Sequence, residues 1–237
     1  MSTARIWGPV ILQAAQSLVD HQVTPVAQDE TETYWDIVFA NGHQYAVDSF
    51  TARADESLDE AVRQLTEVLS RGWLRGEGVD SPQSVFTHSD NLRPIRIENP
   101  DNNLFGDKPV GAFWTSSYLP DGTSAWSRSE NSEFNRLNRP LRNFVFEEPS
   151  PEEIFVINSP EDYQRLVCTY LRSLNSNQAA IDWKRAAEDL VAVRLSASGL
   201  ALAHHFRVPT PAGKAQLSGW DAESTAWLRL PRNASLS

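Results

Sequence analysis

Two segments about a hundred residues apart concentrate the groups able to do chemistry. They are Lys108-Pro109-Val110-Gly111-Ala112-Phe113-Trp114-Thr115-Ser116-Ser117 and Gly219-Trp220-Asp221-Ala222-Glu223-Ser224-Thr225-Ala226-Trp227-Leu228. The second holds Glu223 between two tryptophans and beside two hydroxyls, on a turn entering a strand. A fixed carboxylate stabilises the positive charge that develops on a sugar ring when a glycosidic bond breaks. Asp221 places a second, shorter acid two residues earlier. The first segment offers Thr115, Ser116 and Ser117, neutral groups that orient a sugar without opposing that charge. Trp114 or Phe113 supplies a face for stacking on a flat ring. His88, in Val85-Phe86-Thr87-His88, adds a ring nitrogen for a hydroxyl or a phosphate.

Other catalytic schemes lack their residues. There is no Gly-x-Ser-x-Gly elbow, no phosphate-binding loop of the Gly-x-x-x-x-Gly-Lys-Ser/Thr type, no Gly-x-Gly-x-x-Gly fingerprint and no His-Glu-x-x-His pair. The single cysteine, Cys168, excludes an intramolecular disulfide and a cysteine-based zinc cluster, and its place in a helical segment reads as a buried structural thiol. His204 and His205 alternate on an expected strand and so cannot both face one metal. No metal site is expected.

The net charge of -10 argues against sequence-independent nucleic-acid binding, which needs a basic face. The nearest approach, Arg136, Arg139 and Arg142, reads as a solvated loop. No apolar run approaches the ~20 residues that cross a bilayer, and the N-terminus is a poor secretory signal. The chain is expected to be cytoplasmic, with no membrane partner.

The elements that position these groups fall into two parts. Residues 1–80 read as a small N-terminal α+β module of unassigned role: a short helix over Ile11–Val19, a hairpin of Tyr34–Ala40 and His43–Phe50 turning at Asn41-Gly42, and a second helix. That helix starts at a Ser57/Glu60 capping box, buries Leu58, Ala61, Val62, Leu65 and Leu69, and ends at Gly72. Residues 81–237 read as a mixed α+β domain of short strands. Strands are expected at Ser84–Ser89, Ala112–Ser116, Glu153–Ile157, Leu190–Leu195 and Thr225–Leu230, with a hairpin-like return over Gly199–His205. A turn of helix is expected near Ser124–Arg128, and helices are expected to begin at Ser159-Pro160 and Asp182.

Taken in order, Val85–His88, Lys108–Ser117, Ile181-Asp182-Trp183 and Gly219–Leu228 resemble a group of bacterial ADP-ribosyltransferase-like domains of the toxin or effector type, over about residues 84–230. The resemblance implies a split-sheet α+β fold with nicotinamide adenine dinucleotide (NAD) as substrate in a cleft between two small sheets. It implies His88, Trp114, Thr115, Ser116 and Ser117 as NAD-binding residues and Glu223, with Asp221, as catalytic. The implied activity is mono-ADP-ribosylation of a macromolecule, with a protein acceptor favoured over nucleic acid. NAD hydrolysis, or a catalytically inactive binding or regulatory module of the same fold, are the alternatives. Asp221-Ala222-Glu223 departs from the Glu-x-Glu of arginine-modifying transferases, and Trp114–Ser117 is only similar to their Ser-Thr-Ser, which leaves the acceptor open.

Overall fold

The computed structural model describes residues 7–43, 56–100, 107–130 and 138–237. These residues form an α+β fold, as expected. Four helices come first: α1 (Pro9–Asp20), α2 (Glu30–His43), α3 (Glu56–Leu69) and the short α4 (Gly72–Arg75). α1 opens on Pro9, whose fixed φ and missing N–H suit a first turn, and buries Val10, Ile11, Ala14, Ala15 and Leu18. α3 buries its expected stripe of Leu58, Ala61, Val62, Leu65 and Leu69. It already includes Glu56, so Ser57 lies inside the helix, and Glu60 turns its carboxylate to Gln64 at 2.6 Å and to Arg63. Gly72 then adopts φ +58°.

The expected hairpin is absent from its described half: residues 34–43 are helical, and residues 44–50 lie outside the described residues. Packing explains the difference. On a helix, Tyr34, Ile37 and Asn41 share one buried face. Asp29 and Glu32 cap the helix reciprocally, Glu32 N donating to Asp29 Oδ1 at 2.8 Å and Asp29 N to Glu32 Oε2 at 3.4 Å. Tertiary burial overrides the turn preference of Asn41-Gly42.

The central sheet runs β2 (Phe113–Thr115), β10 (Ser224–Trp227), β7 (Ala192–Leu195), β4 (Ile154–Ile157). β10 is antiparallel to both neighbours, and β4 is parallel to β7. A second sheet joins β1 (Gln83–Phe86), β3 (Leu141–Val145) and β11 (Ser235–Leu236), and touches β2 through the bridge Ser84↔Ser116. A third runs β5 (Leu171–Asn175), β6 (Gln178–Ile181), β9 (Gly213–Gln216), β8 (Arg207–Thr210). The connecting helices are α5 (Ser127–Glu130), α6 (Pro160–Thr169), α7 (Trp183–Asp189) and α8 (Ala197–Leu202). Ser159 and Asp182 cap α6 and α7 as expected, accepting from Asp162 N at 3.1 Å and Arg185 N at 3.3 Å.

Strand alternation gives the central sheet two dry faces. Val193, Leu195 and Ala226 join the helical core with Val10, Tyr34 and Leu65. Ala192 and Trp227 face the second sheet, where the Trp227 ring meets Phe144 at 5.3 Å and Phe146 at 4.8 Å between centroids. Two further expectations are corrected here. The return strand over Gly199–His205 is instead helix α8 and its end, because Ser196 Oγ accepts from Gly199 N at 3.0 Å and nucleates a turn. Cys168 is exposed, since Tyr163, Leu166 and Val167 take the inward face of α6. No helix among the described residues is long and apolar enough to cross a membrane.

Candidate functional site

β2 and β10 bring the two chemistry-bearing segments side by side, with Thr225 opposite Thr115 and Trp227 opposite Phe113. Continuing that alternation past the strand ends sets Glu223 across from Ser117. Ser117 N donates to Glu223 Oε2 at 2.9 Å and Ser117 Oγ to Glu223 Oε1 at 3.0 Å. The same carboxylate lies 3.0 Å from Arg194 Nε on β7, close in distance though not aligned as a hydrogen bond. Both side chains are buried, Glu223 at 0% and Arg194 at 3% relative exposure. Arg194 also donates to the Gly78 carbonyl, and Gly76 leaves room for the guanidinium. Glu223 N donates to Tyr34 Oη at 3.2 Å, and burial beside Glu223 holds the Tyr34 phenol well above its usual pKa. Glu223 is therefore sealed on every side.

Glu223, Thr225 and Trp227 project toward the second sheet. The intervening residues Ala222 and Ser224 line a cavity of about 320 Å³ on the opposite face. Its walls are Trp114, Trp126 and Pro109, with Lys108 and Asp221 at one edge and Glu130 and Arg139 at another. Lys108 Nζ sits 5.4 Å from the Trp114 ring centroid and 3.8 Å from Asp221 Oδ2. Desolvation lowers the Lys108 pKa, while Asp221, 68% exposed, pulls it back. Arg139 and Glu130 pair at 2.5 Å, and Trp126 Nε1 donates to Glu223 O and Ser224 Oγ, each at 3.0 Å.

The expected site residues thus divide into separate places. Trp114 and Asp221 meet in this cavity. Ser117 meets Glu223 behind it. The Thr115 hydroxyl is taken by Gln83, to which it donates, and by Trp227 Nε1, from which it accepts at 2.8 Å. Ser116 Oγ contacts Ser84 Oγ at 2.8 Å inside a hydroxyl cluster with Ser124. His88 stands just past the other end of β1, lining a separate cavity of about 530 Å³ with Phe113. Of the expected basic loop, Arg139 pairs with Glu130 and Arg142 with Asp90, and Arg136 lies outside the described residues.

Sequence reasoning missed the residues that hold this arrangement. Arg194 had a signal: a cation inside the apolar run Leu190-Val191-Ala192-Val193-Arg194-Leu195 needs a buried partner. Trp126 and Tyr34 had none. For buried His204 the sequence reading excluded metal binding and assigned no other role. Its Nε2 accepts from Trp220 N at 3.1 Å, so the ring is neutral and Nδ1–H donates to Asn41 Oδ1 at 2.7 Å. Burial, with His205 and Lys108 nearby, keeps its pKa well below the usual range. Asn41 Nδ2 in turn donates to the carbonyls of Trp220 and Asp221, each at 3.2 Å. This chain fixes the turn that carries Asp221.

Asp107, next to Lys108 in the chain, accepts from Trp220 Nε1 at its backbone carbonyl at 3.2 Å. Its carboxylate accepts from Tyr163 Oη and Trp183 Nε1, both at 3.0 Å, and from Ile181 N at 3.1 Å. Burial raises its pKa to about 6. Among the described residues no group of three or more His, Cys, Asp or Glu is placed to hold a metal ion.

Comparison of the chain with family models, with curated proteins and with solved structures returns no match.

Proposed function

We propose that this chain is a small-ligand-binding module built on a strand pair that resembles the ADP-ribosyltransferase core. Glu223 acts as its structural carboxylate, and the Lys108–Trp114–Trp126–Asp221 cavity is the ligand position. One observation carries the reading: alternation on β10 turns Ala222 and Ser224 into the cavity and Glu223 away from it, into a buried ion pair with Arg194. A carboxylate with no solvent exposure and a guanidinium 3.0 Å away is already neutralised and out of reach of a sugar. Favouring this reading over NAD held as the resemblance implies, the hydroxyls of Thr115 and Ser116 are engaged in the protein interior and His88 lines a different cavity. The cavity itself suits a flat ring lying on indole faces, with an acceptor or anion toward Lys108.

A second reading has one observation in its favour. The paired donors of Ser117 hold Glu223 beside the hydroxyl-bearing strand, and a carboxylate so oriented is preorganised. In that reading the chain transfers ADP-ribose from NAD to a macromolecular acceptor in a cytoplasmic toxin or effector setting, or to water.

Incubation of purified protein with labelled NAD, alone and with a cell extract as acceptor source, separates them. NAD recovered intact supports the binding module. Label on protein or nucleic acid establishes transfer, and free ADP-ribose establishes hydrolysis; either result overturns it.

A further inference from the structure

The cavity at the far end of β1 is a second site with its own chemistry. Among the described residues, those lining its space of about 530 Å³ include Arg93 and His88 and no carboxylate, on a chain whose net charge is -10. The nearby Asp90 is turned to Arg142. The remaining walls are mainly apolar: Ile95, Phe113 and Leu236 come from a loop, a strand and the C-terminal strand. The loop is braced, Ser89 N donating to Thr87 Oγ1 at 3.0 Å and Asn91 N to Ser89 Oγ at 3.2 Å. The strap behind it is tied to the approach to β2 by Glu98 N donating to Val110 O at 2.9 Å. Gly111, at φ +82°, permits that approach, because a Cβ there would stand 2.1 Å from the Arg96 carbonyl oxygen. Apolar walls with a cationic rim match one ligand class by shape and charge.

We propose that this cavity binds a small hydrophobic monocarboxylate, its acid group on Arg93 and its apolar body against Ile95, Phe113 and Leu236. The inference is independent of the cavity beside Trp114. Arg93 is exposed and available to a ligand, and among the described residues it forms no ion pair. A charge-assisted contact to a carboxylate then orients the molecule, while the wall contacts supply affinity.

Titration of the full chain with phenylbutanoate, followed by amide NMR shifts, tests this. The expected result is saturable binding with shifts centred on residues 87–95 and 111–113, and no comparable binding of phenylbutanol or phenylbutylamine. Arg93→Gln should weaken phenylbutanoate at least ~10-fold, the loss of one charge-assisted contact, and Ile95→Glu should abolish saturation. The melting transition of Arg93→Gln, a change at an exposed side chain, should match that of the parent chain. Absence of saturable binding, equal binding of the alcohol and the acid, shifts centred elsewhere, or an Arg93→Gln protein that binds undiminished would each overturn the proposal.

Discussion

Glu223, one residue before β10, and Arg194 on the adjacent β7 have Oε1 and Nε 3.0 Å apart, and neither side chain reaches solvent appreciably. Such a pair has lost the hydration of both ions; Ser117 donates to both carboxylate oxygens and the Gly78 carbonyl accepts from the guanidinium, while Arg194 Nε has no aligned acceptor. Removing one partner is far costlier than removing both.

Glu223→Gln keeps the size of the side chain but leaves the Arg194 guanidinium without a counter-charge. We expect it to lower unfolding stability by about 3–5 kcal/mol in urea titration. The double variant Glu223→Gln with Arg194→Met should recover much of that loss. A Glu223→Gln protein as stable as the parent would contradict a structural role for the pair.

Asp107 provides a pH signature of opposite sign to most carboxylates. Its pKa rises from 3.8 to about 6 on burial, so between those values the folded protein holds a proton that the unfolded chain has released. Stability from this group is therefore greatest below pH 3.8, falls through the window and stays lower above about 6. Relative to Asp107→Asn, the parent should gain ~3 kcal/mol as pH drops from 7 to 3.5, from roughly two pKa units at about 1.4 kcal/mol each. Parallel stability curves for the two proteins would refute this.

His204 acts the other way. Its folded pKa lies well below 6.5, so below pH 6.5 the unfolded chain takes up a proton that the native state refuses. The parent should lose stability relative to His204→Gln at up to about 1.4 kcal/mol per pH unit as pH falls from 6.5 toward 5. Denaturant midpoints collected over that range measure the slope, and a slope of zero rejects the assignment.

Gly199 is required by contact, since a Cβ there would stand 2.0 Å from the Ile157 carbonyl oxygen where α8 crosses β4. Gly199→Ala gains about 1 kcal/mol in helix propensity, yet the forced separation of α8 from the sheet costs more, typically 1–3 kcal/mol and occasionally beyond. We expect net destabilisation in thermal melting; a raised melting temperature would show that α8 slides freely.

Local signals were legible where side chains and backbone agree. The stripe Leu58–Leu69 and the Ser159 and Asp182 caps each act within a few residues, and each appears in the structure. The Asn41-Gly42 turn was misread because the same residues serve a helix once Asn41 has His204 and the Trp220 and Asp221 carbonyls to bond. Those partners lie more than 160 residues away in sequence. The helix over residues 197–202 was misread for a related reason: its apolar, small residues fit either element until the Ser196 cap and the close approach to Ile157 choose one.

The sequence by itself determined the α+β class, the chemistry-bearing strands around residues 113–115 and 224–227, and the presence of Glu223, with Asp221, between tryptophans. Only the tertiary structure decided which way Glu223 points. All four residues of β10 are buried, so no wet face marks the strand, and its sequence pattern is the same whichever side Glu223 takes. The choice fell to Arg194 on β7 and Ser117 beyond β2, both remote in sequence, and alternation then gave the cavity to Ala222 and Ser224. A carboxylate's chemistry is set by what surrounds it, and those surroundings are assembled only when the strands pair.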